Sequence, residues 1–471
     1  MLEKKIKKGD IITVSIDSIG YGGIGIGRYN NITVFIRGGL PGQEVECMVI
    51  KKKSNLIEAR TETIINESSY YVKPKCSHFD DCGGCSLQHL DYNEQLNQKK
   101  QQIIDILERI GKLTDYKIND FNYSENKFHY RNKMEFTFSG KVWYPKDKSI
   151  IIENTTFALG LHVPKRYDKV LNIDRCFIQD DRCNRMLKLI SDLAIKNSLE
   201  PYDIRRHDGF LRTLVIRKSF KNNKIMLNFV TSYKDTSKID SVFTNELISN
   251  FPEISSIINT IHSGKSQTSI GQEEICLFGD SFIMEEVGGF DFKISPTSFF
   301  QTNTLQAENL YKIVRKELKG FSNKTIYDLY CGTGTISLIV SKLAKEVIGI
   351  ELIKSSIENA NENKKINKIS NVEFIQANLN KFFSTNKSKE INKPDAIIVD
   401  PPRAGLHSNA IKNILSLLPE KIIYISCNPS TLARDLNIIC TENYNFSTIH
   451  PVDMFPHTYH IETVSVINRI T

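Results

Sequence analysis

Cys427 ends an apolar run, Lys421–Ser426 (KIIYIS), whose length and β-branched content predict a buried strand. A thiol at the carboxyl end of a strand in an open α/β sheet sits on the rim where such sheets bind ligands. The run Asp328-Leu329-Tyr330-Cys331-Gly332-Thr333-Gly334-Thr335 places a glycine loop on the same rim. It has no phosphate-binding lysine, so a nucleoside cofactor such as S-adenosylmethionine suits it better than ATP. Glu351 closes the next predicted strand about twenty residues on, the place for an acid that takes ribose hydroxyls. Asn378 closes the third strand, near the expected adenine.

Asp400-Pro401-Pro402-Arg403 closes the fourth predicted strand. Enzymes that methylate exocyclic amines put an aromatic residue after such a Pro-Pro pair, to stack the base. Arg403 stands there, which directs the chemistry to carbon. Carbon 5 of a pyrimidine is a poor nucleophile until a thiolate adds at carbon 6. After methyl transfer the carbon-5 proton must leave, which needs a general base. Cys427 fits the first role, against the alternative of a small buried hydrophobe. Glu462, at the start of the last predicted strand, fits the second. Cys331 is the rival nucleophile, but its place in the glycine turn approaches a base poorly.

A second constellation is Cys76-Ser77-His78-Phe79-Asp80-Asp81-Cys82-Gly83-Gly84-Cys85. Three thiols this close can wrap one soft metal centre. Zinc and a [4Fe–4S] cluster both take four ligands. Cys176 is the best fourth candidate and Cys183 the second; His78 would instead complete a Cys₃His zinc site. The spacing differs from that of radical enzymes. Cys47, Cys183, Cys276 and Cys440 read as core residues.

The elements that must position these groups follow from pattern. Short strands at Ile11–Ile16, Ile32–Arg37 and Val45–Lys51, with a glycine-rich turn over Gly20–Gly27, predict a small OB-like barrel that binds nucleic acid. Lys51, Lys52, Lys53 and Arg60 there track phosphates or blunt an edge strand. Tyr92–Lys112 has helical spacing. Two basic strands, His129–Lys133 and Arg212–Arg217, suit single-stranded RNA or a solvated face. Ser384–Lys393 reads as a polar surface loop. From Ile294 on, strands and helices alternate and then end in two strands, predicting a doubly wound sheet closed by an antiparallel hairpin.

With 471 residues the chain is too long for one core. Its net charge of +8 points to a polyanionic partner. The start, MLEKKIKKGD, is too charged for a secretory signal, and the apolar runs are too short for a membrane span. A cytoplasmic location is expected, where ten cysteines would serve as ligands, nucleophiles or core residues rather than disulfides.

At these residues the chain resembles the bacterial uracil-5 RNA methyltransferases that carry a TRAM domain and modify 23S ribosomal RNA. The glycine-rich turn with Pro41-Gly42-Gln43-Glu44 resembles the TRAM module. Ser295–Asn303 (SPTSFFQTN), Ser426–Pro429 and Leu432-Ala433-Arg434-Asp435 resemble the family's catalytic motifs. The resemblance implies cofactor contacts at Gln301, Tyr330, Glu351, Asn378 and Asp400, catalysis by Cys427 and Glu462, and a [4Fe–4S] cluster on Cys76, Cys82, Cys85 and Cys176, in preference to zinc. Thr335 stands where some members have Asn, so no contact is assigned to it. The expected division is a barrel at 1–63, a cysteine-rich segment at 64–91 and a helix at 92–118 packed on the catalytic domain. A central RNA-binding α+β domain at 119–293, mostly antiparallel, and a Rossmann-like methyltransferase domain at 294–471 complete it. The implied partner is 23S ribosomal RNA, with no membrane or DNA, and the chain is expected to be a monomer. The alternatives are a tRNA enzyme of the same chemistry and a non-catalytic RNA-binding assembly factor.

Overall fold

The computed structural model describes residues 6–145, 156–383, 385, 387–440 and 443–470. Its first unit is a closed barrel of β1 (Ile11–Gly20), β2 (Ile24–Tyr29), β3 (Ile32–Arg37), β4 (Glu44–Lys53) and β5 (Leu56–Asn66), in the order β1-β2-β3-β5-β4. Alternate residues such as Val14, Ile16, Val34, Ile36, Val45 and Ile57 fill it, as a two-residue period requires. The stretch read as one long turn, Gly20–Gly27, is mostly strand. The turn proper is residues 21–23, with Gly22 and Gly23 at φ +95° and +72°. Gly27 lies in β2 because a Cβ there would sit 2.3 Å from the carbonyl oxygen of Ser15. Close strand approach, rather than turning, explains that glycine.

The helix Tyr92–Arg109 is capped by Asp91, which accepts from the N–H groups of Asn93 and Glu94. Its Ile103 and Leu107 enter one core with the C-terminal sheet. Lys99 and Asp453 make a fully buried ion pair at 2.6 Å, and the Tyr92 hydroxyl donates to the other Asp453 oxygen at 2.8 Å. Nearby, β6 (Lys117–Ile118) adds an edge strand to the C-terminal sheet.

The middle of the chain forms a second sheet from β7 (Lys133–Ser139), β8 (Ala158–Val163), β9 (Arg166–Asn172), β10 (Leu211–Lys218), β11 (Ile225–Thr231), β12 (Ile254–Ile261) and β13 (Glu273–Gly279). Every pairing is antiparallel except β11 with β12. The helix Asp181–Lys196 packs into its core, and a helical stretch over Thr236–Asn250 was not expected from the sequence. The reading of two basic, RNA-facing strands fails here. His129–Asn132 is not strand, and Tyr130 is fully buried. Arg212 is buried, donating to the carbonyls of His262, Gly264 and Ser266; Arg217 is buried and donates to that of Ser298. These guanidiniums satisfy loop carbonyls inside the fold. Cys276, expected in a core, is exposed.

A hairpin, β14 (Ile283–Val287) with β15 (Phe290–Ile294), packs its apolar face into the core of the C-terminal sheet. That sheet runs β18-β17-β16-β19-β20-β22-β21-β6. Its strands are β16 (Thr325–Leu329), β17 (Glu346–Glu351), β18 (Val372–Gln376), β19 (Ala396–Val399), β20 (Lys421–Ser426), β21 (Tyr444–Val452) and β22 (Glu462–Arg469). β16 to β20 are mutually parallel, while β22 is antiparallel to both β20 and β21. The inner strands β16 and β19 are buried at every residue, which is why they read as unbroken apolar runs. In Ser384–Lys393, Lys387–Glu390 forms a helical turn, while residues 384 and 386 lie outside the described residues, as do 1–5 of the charged start. Among the described residues no helix is long and apolar enough to cross a membrane.

Candidate active site

The carboxyl ends of β18, β17, β16, β19 and β20 share one rim, because parallel strands end on the same side. Tyr330 follows β16 at φ +63°, its N–H donating to Ile350 at 2.9 Å. Gly334 (φ +81°) is obligatory, since a Cβ would meet the Phe374 ring at 2.5 Å. Glu351, ending β17, accepts from the N–H groups of Gly332 (3.2 Å), Leu352 (2.7 Å) and Ile353 (3.0 Å). That grip ties the glycine loop to the neighbouring strand. Asn378 is exposed just past β18 and caps the next helical turn through Asn380. Gln301 is half-buried, its carbonyl accepting from the Asn132 side-chain amide at 2.9 Å.

Cys427 and Glu462 come together through register. Ser426 pairs with Thr463, so the next facing positions on β20 and β22 are 427 and 462. Asp400 directly follows the adjacent β19. Burial pushes the Glu462 carboxyl up to about 8, helped by Asp400 and opposed by Arg403. Burial likewise pushes Asp400 up to about 7 and the Cys427 thiol up to about 11; Glu462 adds to the latter and Arg403 opposes it. Cys427 itself is half-buried.

The loop that holds this thiol is over-determined. Asn428 caps the helix Pro429–Ile439, and its amide donates to the Arg403 carbonyl at 3.1 Å. Thr431 donates to the same carbonyl at 3.2 Å. Asp435 is fully buried and accepts from the Tyr424 hydroxyl and the Leu406 N–H, both at 2.7 Å. The Leu432–Asp435 motif thus braces the Cys427 loop against the Pro401–Leu406 loop.

Away from the rim, Cys76, Cys82, Cys85 and Cys176 line one cavity together with Gln88, Leu161 and Ile178. Hydrogen-bond donors point at sulfurs of this set. The Gly84 N–H approaches Cys82 at 3.3 Å, Gln88 serves Cys85, and the backbone of Ile178 and Gln179 serves Cys176. His78 Nε2 accepts from the Asp174 N–H at 3.2 Å. Cys183, the second choice for a fourth ligand, is buried in the central core. Among the described residues no group of three or more His, Cys, Asp or Glu side chains is arranged to hold a metal ion.

Residues 281–470 match the model of the tRNA (Uracil-5-)-methyltransferase family, and residues 5–61 match that of the TRAM domain. An uncharacterized RNA methyltransferase of Chlorobaculum tepidum is 38% identical over 99% of this chain and 98% of its own. One of Caldanaerobacter subterraneus is 38% identical over 98% of this chain and 99% of its own. The chain belongs to the TRAM-containing RNA (uracil-5-)-methyltransferase family. A solved relative is the Pyrococcus abyssi tRNA (uracil-54, C5)-methyltransferase in complex with S-adenosyl-L-homocysteine. It is 27% identical, with a TM-score of 0.73 over 97% of this chain and 100% of that one.

The structure adds neighbours that sequence reading left out of this methyltransferase's site. Arg403 is the cation whose charge reaches Cys427, Glu462 and His460. Its signal was in the sequence, as the residue after Pro-Pro, but it was read only as the absence of an aromatic. Asp328 is fully buried, held by the Ser337 hydroxyl at 2.6 Å, and burial pushes it up to about 7. Tyr21, from the barrel, had no local signal at all; long-range docking brings it to Tyr459, just ahead of Glu462.

Proposed function

We propose that this methyltransferase adds a methyl group to carbon 5 of uridine in 23S ribosomal RNA through a transient bond between Cys427 and carbon 6. The observation that carries the reading is the facing pair Cys427 and Glu462 on adjacent strand ends, with Asp400 beside them. S-adenosylmethionine supplies the methyl group as a sulfonium-activated electrophile; Gln301, Tyr330, Glu351, Asn378 and Asp400 are the residues that hold it. Support comes from the shared rim of Tyr330, Glu351, Asn378 and Asp400, and from the S-adenosyl-L-homocysteine bound by the Pyrococcus relative.

In the free protein the Cys427 thiol is protonated at neutral pH, because burial outweighs the help of Arg403. Its deprotonation is favoured by the Arg403 charge and by the helix that begins at Pro429. The sulfur then bonds to carbon 6, and the ring's π electrons move to make carbon 5 nucleophilic. Once carbon 5 carries the methyl group, ionised Glu462 takes its proton. The electron pair left behind restores the 5,6 double bond and expels the thiolate. A carboxyl poised near 8 suits that task at physiological pH.

The four thiols of Cys76, Cys82, Cys85 and Cys176 fit a [4Fe–4S] cluster better than one zinc ion. They line a common cavity, and donors aimed at the sulfurs would stabilise cluster-bound thiolates. A single ion needs its ligands drawn close around one point. The cluster's role is structural, pinning the segment after the barrel to the central sheet.

A tRNA substrate is the second reading, favoured by the Pyrococcus relative, whose tRNA enzyme aligns along its whole length. Methylating transcripts of 23S ribosomal RNA and tRNA with labelled donor decides between them. The expected product is 5-methyluridine in 23S ribosomal RNA, lost in Cys427→Ser while RNA binding persists. Incorporation only into tRNA moves the substrate; incorporation into neither removes the catalytic reading.

A further inference from the structure

Asn132 directly precedes β7 of the central sheet, and its main chain is fixed at both ends. Its carbonyl accepts from the Lys218 N–H at 2.8 Å, and its own N–H donates to the Thr302 carbonyl at 2.8 Å. The side chain is buried. Its amide nitrogen donates to the Gln301 carbonyl and to Thr304 Oγ1, each at 2.9 Å. One asparagine of the central domain thus holds Gln301, Thr302 and Thr304, in the segment that enters the catalytic domain.

The partners dictate how the amide is turned. A carbonyl can only accept, so the nitrogen must face Gln301. Thr304 has one hydroxyl proton, which goes to the buried carboxyl of Glu285 at 3.3 Å, so its oxygen is left to accept from Asn132. Glu285 is fixed in turn by the N–H groups of Phe220 (2.8 Å) and Lys221 (2.9 Å), again from the central domain. Arg217 of β10 adds a second grip on the same segment, donating to the Ser298 carbonyl at 2.9 Å. The catalytic domain contributes Asn359, which donates to Ser298 Oγ at 3.0 Å, three residues short of Gln301.

We propose that Asn132 is a positioning residue for the methyl donor. It acts through the Gln301 backbone, so a side chain of the central domain sets the affinity of a site in the catalytic domain. A ligand contact works only when its supporting hydrogen bonds hold it within about 0.5 Å of the productive place. For Gln301 that support is the Asn132 amide, which sits on a regular sheet and is buried, so it moves little. The inference rests on the reading of Gln301 as a donor contact.

Titration calorimetry of the full-length protein with S-adenosyl-L-homocysteine tests it. Asn132→Leu, close in size but without donors, should raise Kd roughly 10-fold while RNA affinity stays at the wild-type level. Thr304→Val, which keeps the bond to the Gln301 carbonyl, should stay within about 2-fold of wild type. In a Gln301→Ala background Asn132→Leu should cost nothing further, because both act through one side chain. Unchanged Kd in Asn132→Leu, equal losses for S-adenosyl-L-homocysteine and RNA, or losses that multiply in the double variant overturn the proposal. Thermal melting checks each variant's fold. Hydrogen exchange of wild type needs no variant: S-adenosyl-L-homocysteine should slow exchange around Asn132 as well as around Gln301, and slowing confined to the catalytic domain rejects the coupling. Wild type and Gln301→Ala are titrated first. No binding by wild type overturns the donor reading, and Gln301→Ala that binds like wild type overturns that residue's place in it. A weakened Gln301→Ala beside an unaffected Asn132→Leu overturns this inference alone.

Discussion

Replacing Glu462 with Gln should stabilise the free protein at alkaline pH while ending turnover. The carboxyl is 7% exposed, and burial with the neighbouring Asp400 moves it from an ordinary 4.5 to about 8. In the unfolded chain it titrates near its ordinary value. The folded value is the higher, so the folded protein holds more protons over this interval and loses stability as pH rises. The penalty stops growing above about pH 8. Each pH step costs about 1.4 kcal/mol, so the carboxyl removes roughly 3 kcal/mol at pH 7 and roughly 5 kcal/mol at pH 9. Gln has no proton to lose, and it also removes the charge that Asp400 feels. Denaturant or thermal melts of wild type and Glu462→Gln at pH 5, 7 and 9 read the effect. The advantage of the variant should grow by roughly 4 kcal/mol from pH 5 to pH 9. Any fixed cost of burying an amide cancels in that difference. An advantage that stays flat or shrinks with pH refutes the account of a strained, buried base.

The rate should also follow pH. With Glu462 near 8 and Cys427 near 11, both needing to be ionised, kcat/KM should climb steeply to about pH 8 and more gently above it; a profile flat from pH 7 to 9 contradicts the assignment. Lys99→Met leaves Asp453 buried and uncompensated, and should cost roughly 3–5 kcal/mol in denaturant unfolding. A loss below about 1 kcal/mol would mean the pair is solvated. Anaerobically purified protein should be brown, with iron and sulfide in equal amounts, and Cys82→Ala should lose both; a colourless protein carrying only zinc rejects the cluster.

The strand pattern was legible wherever burial was uniform. Lys421–Ser426 was read at its observed bounds because a strand inside the sheet is buried along nearly its whole length. The facing of Cys427 and Glu462 was legible as two strand ends, although their register needed the sheet itself. Glycine misled where it served close packing, as at Gly27 in β2. Charge misled where arginine was structural: Arg212 and Arg217 look like RNA contacts in sequence, yet they bind loop carbonyls fifty or more residues away. Tyr21 was illegible for the complementary reason. Nothing in its own segment says that the β1–β2 turn will dock on residues before Glu462.

The most direct measurement uses RNA in which the target uridine is 5-fluorouridine. Fluorine cannot be removed by a base, so the ring should stay attached to the enzyme after methyl transfer. A denaturing gel should then show a protein–RNA complex that depends on the methyl donor, and peptide mass spectrometry should place the bond on Cys427. Methylation of ordinary RNA with no trapped complex, or a bond to another residue, would contradict the covalent role of that sulfur.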